Sequence, residues 1–272
     1  MKEKIIDIIC QRLESNLERL KVEFNESKKH VGVRHVFVDN LLPQDLAERI
    51  HAAFPPCNAM RLMNNFRERK FTSKKFDAFD PLLADITFAV QDPRVISIVE
   101  KITGIVEQIP DANLYAGGLS AMAQGHFLGP HLDNSHDGSR EYYRTLNLLY
   151  YVSPHWTLED GGNLQLWDSA VNDHVTIVSQ FNRLVIMETN PWSWHSVSKV
   201  NSNRLRCCVS NYYFSKRSPI GRDYSNITAF SAWPDQKLLR AASLIDRYVR
   251  QGVRYLRPSG FGKKDLYEGP PR

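Results

Sequence analysis

The 272-residue sequence lacks the marks of several common function classes. It holds only four cysteines, Cys10, Cys57, Cys207 and Cys208, and no Cys-x-x-Cys spacing. The adjacent Cys207 and Cys208 would point to opposite faces of an extended strand. This excludes a disulfide framework and a cysteine zinc site, and it favours reduced thiols. No run of about 20 apolar residues is present to span a membrane. Met1 to Ile9 lacks the apolar core and small-residue cleavage site of a signal peptide. The expected location is therefore cytoplasmic, with no membrane partner. No Walker loop, no Gly-x-Gly-x-x-Gly after a strand and no Gly-x-Ser-x-Gly is found, which removes common nucleotide-binding and hydrolase classes. Internal repeats and low-complexity tracts are also missing. The net charge of +5 and pI near 9.0 are mild and spread without a long Lys/Arg block, so a nucleic-acid partner is not expected.

What is present is the composition of a soluble globular protein, 42% hydrophobic and 24% charged. Over residues 3–25 the positions Ile5, Ile9, Leu13, Leu17 and Leu20 recur at helical spacing, which predicts one amphipathic helix packed on the body of the protein or on a partner. A short strand, His35 to Asp39, and a helix, Pro43 to Ala53, follow. Residues 57–80 read as a polar, irregular connection with basic clusters around Arg67, Arg69, Lys70, Lys74 and Lys75. Helices are expected from Asp80 to Ala89 and from Pro93 to Thr103, the second ended by Gly104.

From Ile109 the texture changes. Short runs rich in Val, Leu, Tyr and Trp alternate with Gly, Asn, Asp and Pro breaks at intervals of roughly ten residues. The predicted strands are Leu114–Ala123, His126–Leu132, Thr145–Val152, Asn163–Trp167, His174–Ile177, Arg183–Glu188, Ser193–Val200 and Arg204–Phe214. Eight short strands fit a double-sheet jelly roll of cupin type. The expected fold is mainly β with flanking helices (α+β), around a double-stranded β-helix core. The chain is expected to form one domain. Residues 1–108 would be its helical part, 109–215 the jelly roll, and 216–272 a helix near Asp235–Arg250 followed by a basic, disordered tail.

The candidate chemistry lies between Gly125 and Tyr213. His131 and Asp133, two apart, share one face of a strand, and His195 lies on another strand. Two imidazoles and one carboxylate leave three positions open on a non-haem iron, the arrangement of Fe(II) oxygenases. One His-x-Asp among nine histidines means little alone. Its company raises the signal: a Gly/Ser/Asn loop after Asp133, the rings of Trp192 and Trp194 available to wall a metal pocket, and two arginines, Arg204 and Arg206, on the last strand. An arginine inside an apolar barrel needs an anionic partner. A guanidinium fork suits the distal carboxylate of a dicarboxylate cosubstrate. His136 with Asp137 is a poor rival, because adjacent residues face opposite ways. His126, five before His131, points to the other face, and Gly161-Gly162 after Glu159-Asp160 reads as a hairpin turn.

The segments Gly125-His-Phe-Leu-Gly-Pro-His-Leu-Asp133, Tyr143-Arg-Thr-Leu-Asn-Leu-Leu-Tyr-Tyr-Val152, Gly161-Gly-Asn-Leu-Gln-Leu-Trp167 and Trp194-His-Ser-Val197 resemble the 2-oxoglutarate- and Fe(II)-dependent dioxygenases, on the prolyl-4-hydroxylase-like branch. The resemblance covers roughly residues 113–214. It implies His131, Asp133 and His195 as catalytic metal ligands. It implies a cosubstrate-binding set of Arg206 as anchor with Arg204 as the fallback, Tyr151 supporting the same carboxylate, and Asn147 beside it. The implied cofactors are Fe(II), 2-oxoglutarate and O2, with room for ascorbate. The implied activity is hydroxylation of a C–H bond in a peptide or small molecule, with release of succinate and CO2. A cupin-like metalloenzyme without 2-oxoglutarate and a non-catalytic jelly-roll binder are the alternatives. The sequence sets neither the substrate nor the oligomeric state.

Overall fold

The computed structural model describes residues 1–240 together with Ser243, Leu266, Tyr267 and Gly269. Most of the expected helix near Asp235–Arg250 and of the tail after it lies outside these residues. The N-terminal periodicity folds as two helices, α1 (Lys2–Glu14) and α2 (Leu17–Glu26), followed by one turn, α3 (Lys28–Val31). The predicted single helix breaks because Ser15 Oγ and Asn16 Nδ2 both bond the Arg12 carbonyl, at 3.1 and 2.9 Å, and compete with the helical ladder. The break lets each half find its own partner. Ile5, Ile6, Ile9 and Leu13 of α1 and Leu20 and Phe24 of α2 are buried in the main core, each contributing about 1.5–3 kcal/mol. These helices therefore pack on the body of the protein, and their apolar faces are not free for a partner.

Strand β1 (His35–Asp39) and helix α4 (Gln44–Ala52) come next. Residues 57–80 correct the sequence expectation, since they contain a hairpin of β2 (Arg61–Asn64) and β3 (Glu68–Ser73). Helices α5 (Pro81–Ala89) and α6 (Pro93–Thr103) begin as the sequence dictates. Asp80 and Asp92 accept from the amides of Leu82 and Arg94, each with proline at the first helical position. Gly104, at φ 70°, ends α6 in the left-handed conformation.

The jelly roll then runs through β4 (Ile109–Pro110), β5 (Gly118–Met122), β6 (Phe127–Leu132), β7 (Tyr143–Tyr151), β8 (Leu164–Trp167), β9 (His174–Ile177), β10 (Arg183–Glu188), β11 (His195–Val197) and β12 (Arg206–Ser215), with a late strand β13 (Ala229–Phe230). The strand order is β1-β10-β7-β12-β5-β3-β6-β11-β8-β9, every pairing antiparallel. The strands from β1 to β5 form the large sheet, and β6, β11, β8 and β9 the small one. Strand β3 stitches them: Phe71 to Ser73 pair with β5, and Glu68 and Arg69 pair with β6.

Period-2 alternation decides what each face meets. Leu146, Leu148, Tyr150, Cys207 and Val209 join the helices in the main core. Leu149, Tyr151 and Cys208 turn inward and pack between the sheets with Leu164, Leu166, Val185 and Met187. Cys207 and Cys208 therefore face opposite layers, as the sequence requires, and all four cysteines are free. Among the described residues no helix is long and apolar enough to cross a membrane.

Candidate metal and cosubstrate site

Strand pairing brings the two imidazoles together. In the β6–β11 ladder His131 lies directly opposite His195, and the ring centroids are 4.1 Å apart. Asp133 follows one residue after the end of β6. Its Oδ1 is 3.8 Å from His131 Nε2, and its Oδ2 is 3.7 Å from His195 Nε2. Potential ligand atoms of all three lie within 4.8 Å of one another, the one such group of His, Cys, Asp or Glu among the described residues.

The hydrogen bonds prepare these rings to bind a cation. His131 Nδ1 meets the Gly129 carbonyl at 3.0 Å, and His195 Nδ1 meets the Ser193 carbonyl at 2.9 Å. A carbonyl can only accept, so each Nδ1 carries a proton, and in the neutral ring the Nε2 lone pair is left for the shared centre. Burial, helped by the His195 ring, brings the His131 imidazole down to about 3, so it is neutral at physiological pH despite Asp133. Burial alone would raise the Asp133 carboxyl, but the Arg144 guanidinium beside it holds it well below the usual carboxylate range. Asp133 Oδ2 is buried with no hydrogen-bond partner. An orphaned carboxylate oxygen facing two imidazole lone pairs fits a divalent cation.

Arg144, which no sequence motif singles out, completes this arrangement. It is 3% exposed, and its Nη1 lies 3.1 Å from Asp133 Oδ1. Nη2 donates to Asn134 Oδ1 at 2.6 Å, and the guanidinium sits over the Tyr212 ring at 4.5 Å. Arg144 thus engages Oδ1 and leaves Oδ2 for the metal centre. The signal was available: a charged residue in a nine-residue strand that is otherwise buried demands a partner, the same argument that singles out Arg206.

A cavity of about 450 Å³ opens from the triad, lined among others by Asn147, Leu149, Arg206, Cys208, Ser210 and Tyr212. Register explains this wall, since Cys208 pairs with Tyr151 and Tyr212 with Asn147, and alternate residues of β7 and β12 point inward. Arg206 is 3% exposed and has no carboxylate partner among the described residues. Its guanidinium lies 4.6 Å over the Tyr151 ring, and its Nε reaches Ser179 Oγ at 3.3 Å. The Tyr151 hydroxyl and Asn147 Oδ1 are both buried without a well-formed hydrogen bond. Burial pushes the Tyr151 phenol up, so it stays a neutral donor. One buried cation and the unpaired Asn147 Oδ1 thus line the same cavity as the triad, and the Tyr151 ring backs the cation.

Arg204 is elsewhere. Its side chain is 43% exposed and chelates Asp160, with Nη2 at 2.8 Å from both carboxylate oxygens, while Nη1 caps the Pro154 carbonyl at 2.8 Å. It latches the hairpin turn at Gly161, where φ is +69° and a Cβ would come within 2.0 Å of the Lys199 carbonyl. The sequence left either arginine open because their spacing after His195 suits both. Arg204 precedes β12 and has turned out of the barrel. The tryptophan wall also needs correcting. Trp194 neighbours His195 in sequence and so faces away, into a cluster with Leu132, Trp167 and Val171, and Trp192 is 48% exposed. The ring beside the triad belongs to Phe230, which stacks on His131 at 5.4 Å. His126 packs on Phe71 at 5.1 Å, away from the triad, as its odd spacing predicts.

Residues 117–214 match the family described as the 2OG-Fe(II) oxygenase superfamily. "Prolyl 3-hydroxylase OGFOD1" of Xenopus laevis is 32% identical over 113 residues, which are 38% of this chain and 22% of that protein. The protein of the same name from Mus musculus is 32% identical over 87 residues, 29% of this chain and 15% of that protein. The chain spans about a fifth of the length of the curated relatives it matches. A prolyl hydroxylase solved with a hypoxia inducible factor peptide fragment, from Trichoplax adhaerens, superimposes with a TM-score of 0.52 at 15% identity, covering 74% of this chain and 92% of that one. A prolyl 4-hydroxylase structure from Phytophthora capsici gives 0.51 at 14% identity, with 92% and 77% covered. These two structures show the shared jelly-roll fold. Residues 117–214 are thus similar to the 2OG-Fe(II) oxygenase superfamily, on a fold shared with these hydroxylase structures.

Proposed function

We propose that the chain is an Fe(II)- and 2-oxoglutarate-dependent hydroxylase. The observation that carries this is one cavity holding both a three-ligand metal cradle and a buried arginine with no carboxylate partner among the described residues. His131, Asp133 and His195 would hold the metal. Arg206 would receive the distal carboxylate of 2-oxoglutarate through its guanidinium fork, with the Tyr151 hydroxyl donating to the same group and Asn147 lining the approach. When bound, iron with 2-oxoglutarate and O2 supplies the oxidising power that inserts one oxygen atom into a substrate C–H bond and the other into succinate, with loss of CO2. The chain's own work is to fix ligand direction, neutralise the cosubstrate and exclude bulk water from a cavity walled by Leu149, Leu164 and Val197. A metalloenzyme that used no dicarboxylate would have no need of Arg206 unpaired in the cavity.

The substrate class is a peptide or a small metabolite. Similarity to proteins named prolyl hydroxylases favours a prolyl residue within a peptide. The cavity mouth beneath the β2–β3 hairpin, lined by Arg61, Lys70, Lys74 and Tyr115, would meet it. We place the protein in a reducing compartment such as the cytoplasm on account of its four free thiols, and we read the helices and jelly roll as one domain because they share one core. Calorimetric titration of 2-oxoglutarate into manganese-loaded protein without O2 tests the proposal. Binding that requires the metal is expected. Metal-loaded protein with no affinity for 2-oxoglutarate would overturn it.

A further inference from the structure

After β12 the chain leaves the barrel and then returns to it across the small sheet. Strand β13 pairs with β6, setting Ala229 opposite Leu132 and Phe230 opposite His131, and the Ser231 amide donates to the Pro130 carbonyl at 2.7 Å. Thr228 reaches the cavity wall. This strap lies beyond residues 117–214 and outside the family match.

We propose that the strap is a positioning element for the metal cradle, acting on Asp133 through Asn226 and on His131 through Phe230. The proposal rests on the metal reading above. Asp133 needs such support because it stands one residue past the end of β6. Asn226 supplies the missing constraint. Its Nδ2 donates to the Asp133 main-chain carbonyl at 2.8 Å, its amide donates to Ser135 Oγ at 2.9 Å, and its own carbonyl accepts from the Ser135 amide at 3.0 Å. The Ser135 carbonyl in turn accepts from the Arg144 amide at 2.8 Å, and the Arg144 side chain engages Asp133 Oδ1. The backbone of Asp133 is thus tied to the strap while its carboxylate is tied to β7.

Phe230 acts on the ring. It stacks on His131 at 5.4 Å and 21°, while His195 contacts the same imidazole at 4.1 Å and 50°. The Nδ1 bond to Gly129 fixes one edge of that ring, and the stack fixes its tilt. Arg67 lies 5.3 Å over Phe230 and 4.5 Å over Phe66, joining strap and β2–β3 hairpin. Supports of this kind around a ligand are worth roughly 10–100-fold in metal affinity.

The test is manganese affinity of the full chain, measured by calorimetry, with circular dichroism and melting temperature recorded for each variant. Asn226→Ala and Phe230→Ala should each bind manganese about 10–100-fold more weakly while keeping the wild-type fold. Phe230→Tyr, which retains the stacked ring, should bind within about threefold of wild type. Lys216→Ala, on the exposed stretch before the strap, should not change affinity. If Phe230→Ala fails to fold, Phe230→Leu keeps the bulk without the ring and carries the same expectation. Folded Asn226→Ala and Phe230→Ala proteins with wild-type affinity would overturn the proposal and leave the metal reading intact. A wild-type chain that binds no divalent metal would overturn both.

Discussion

Arg206 offers the sharpest test of the cosubstrate assignment, because its replacement should move two observables in different directions. The guanidinium is buried over Tyr151, with long hydrogen bonds to Ser179 Oγ and the Met122 sulfur and no carboxylate partner among the described residues. Such a charge contributes little to the fold, and an apolar residue of similar length is often neutral or stabilising at such a site. Arg206→Met should therefore melt at or above the wild-type temperature without ligand. Cosubstrate binding should suffer. Two charge-assisted hydrogen bonds at about 1.5–3 kcal/mol each set the gross loss. Partial hydration of the stranded carboxylate brings this to about 3–4 kcal/mol, or roughly 10²–10³-fold in the dissociation constant of 2-oxoglutarate. Arg206→Lys keeps the charge without the fork and should lie between, at about tenfold. Calorimetry on manganese-loaded protein measures the affinities, and differential scanning measures the melting points. An affinity of Arg206→Met within threefold of wild type, or a loss equalled by Arg204→Ala, would show that Arg206 does not anchor the cosubstrate.

The other predictions concern the groups around the site. Arg204→Ala should leave 2-oxoglutarate affinity unchanged and cost about 1 kcal/mol by denaturant titration, because the Arg204 end of the pair is 43% exposed and screened by solvent. Burial raises the Asp160 carboxyl, but the Thr157 amide and Arg204 outweigh this and hold it at about 2. Its contribution is therefore full above the unfolded carboxylate value near 3.8 and is lost as pH falls towards 2, so Asp160→Asn should flatten the acid limb of the stability curve in that window. Arg144→Ala strands the buried Asp133 charge and should cost about 3–5 kcal/mol in metal-free protein. Saturating manganese should then raise the melting temperature of this variant more than that of wild type, since the ion replaces the lost cation. An equal or smaller rise would contradict the pairing of Arg144 with Asp133. Asp133→Ala and His131→Ala should each abolish measurable manganese binding in calorimetry.

The parts legible in the sequence are those where local chemistry and tertiary context agree. The caps at Asp80 and Asp92, the stop at Gly104, and the strands Arg183–Glu188 and His174–Ile177 follow from propensity and pattern, and the structure places them there. The convergence of His131, Asp133 and His195 was legible because His-x-Asp keeps a strand's period and the order of motifs limits the topology. The β2–β3 hairpin was not legible. Glu68, Arg69 and Lys70 on β3 meet solvent and cavity rather than core, so the strand lacks the alternation that marks a buried face. The N-terminal break at Ser15–Asn16 turns on two side-chain hydrogen bonds that helical periodicity does not register. The strap at Asn226 and Phe230 left no signal, since its role depends on pairing with β6 nearly a hundred residues away in sequence.

A cavity that joins a metal cradle to a cosubstrate anchor should turn over 2-oxoglutarate, read as succinate formed by purified chain supplied with Fe(II) and O2. Turnover is predicted for wild type, with none above background in His195→Ala, a ligand variant whose strand pairing is retained. Iron-loaded wild type that consumes no 2-oxoglutarate, or a His195→Ala variant that turns over at the wild-type rate, would contradict it.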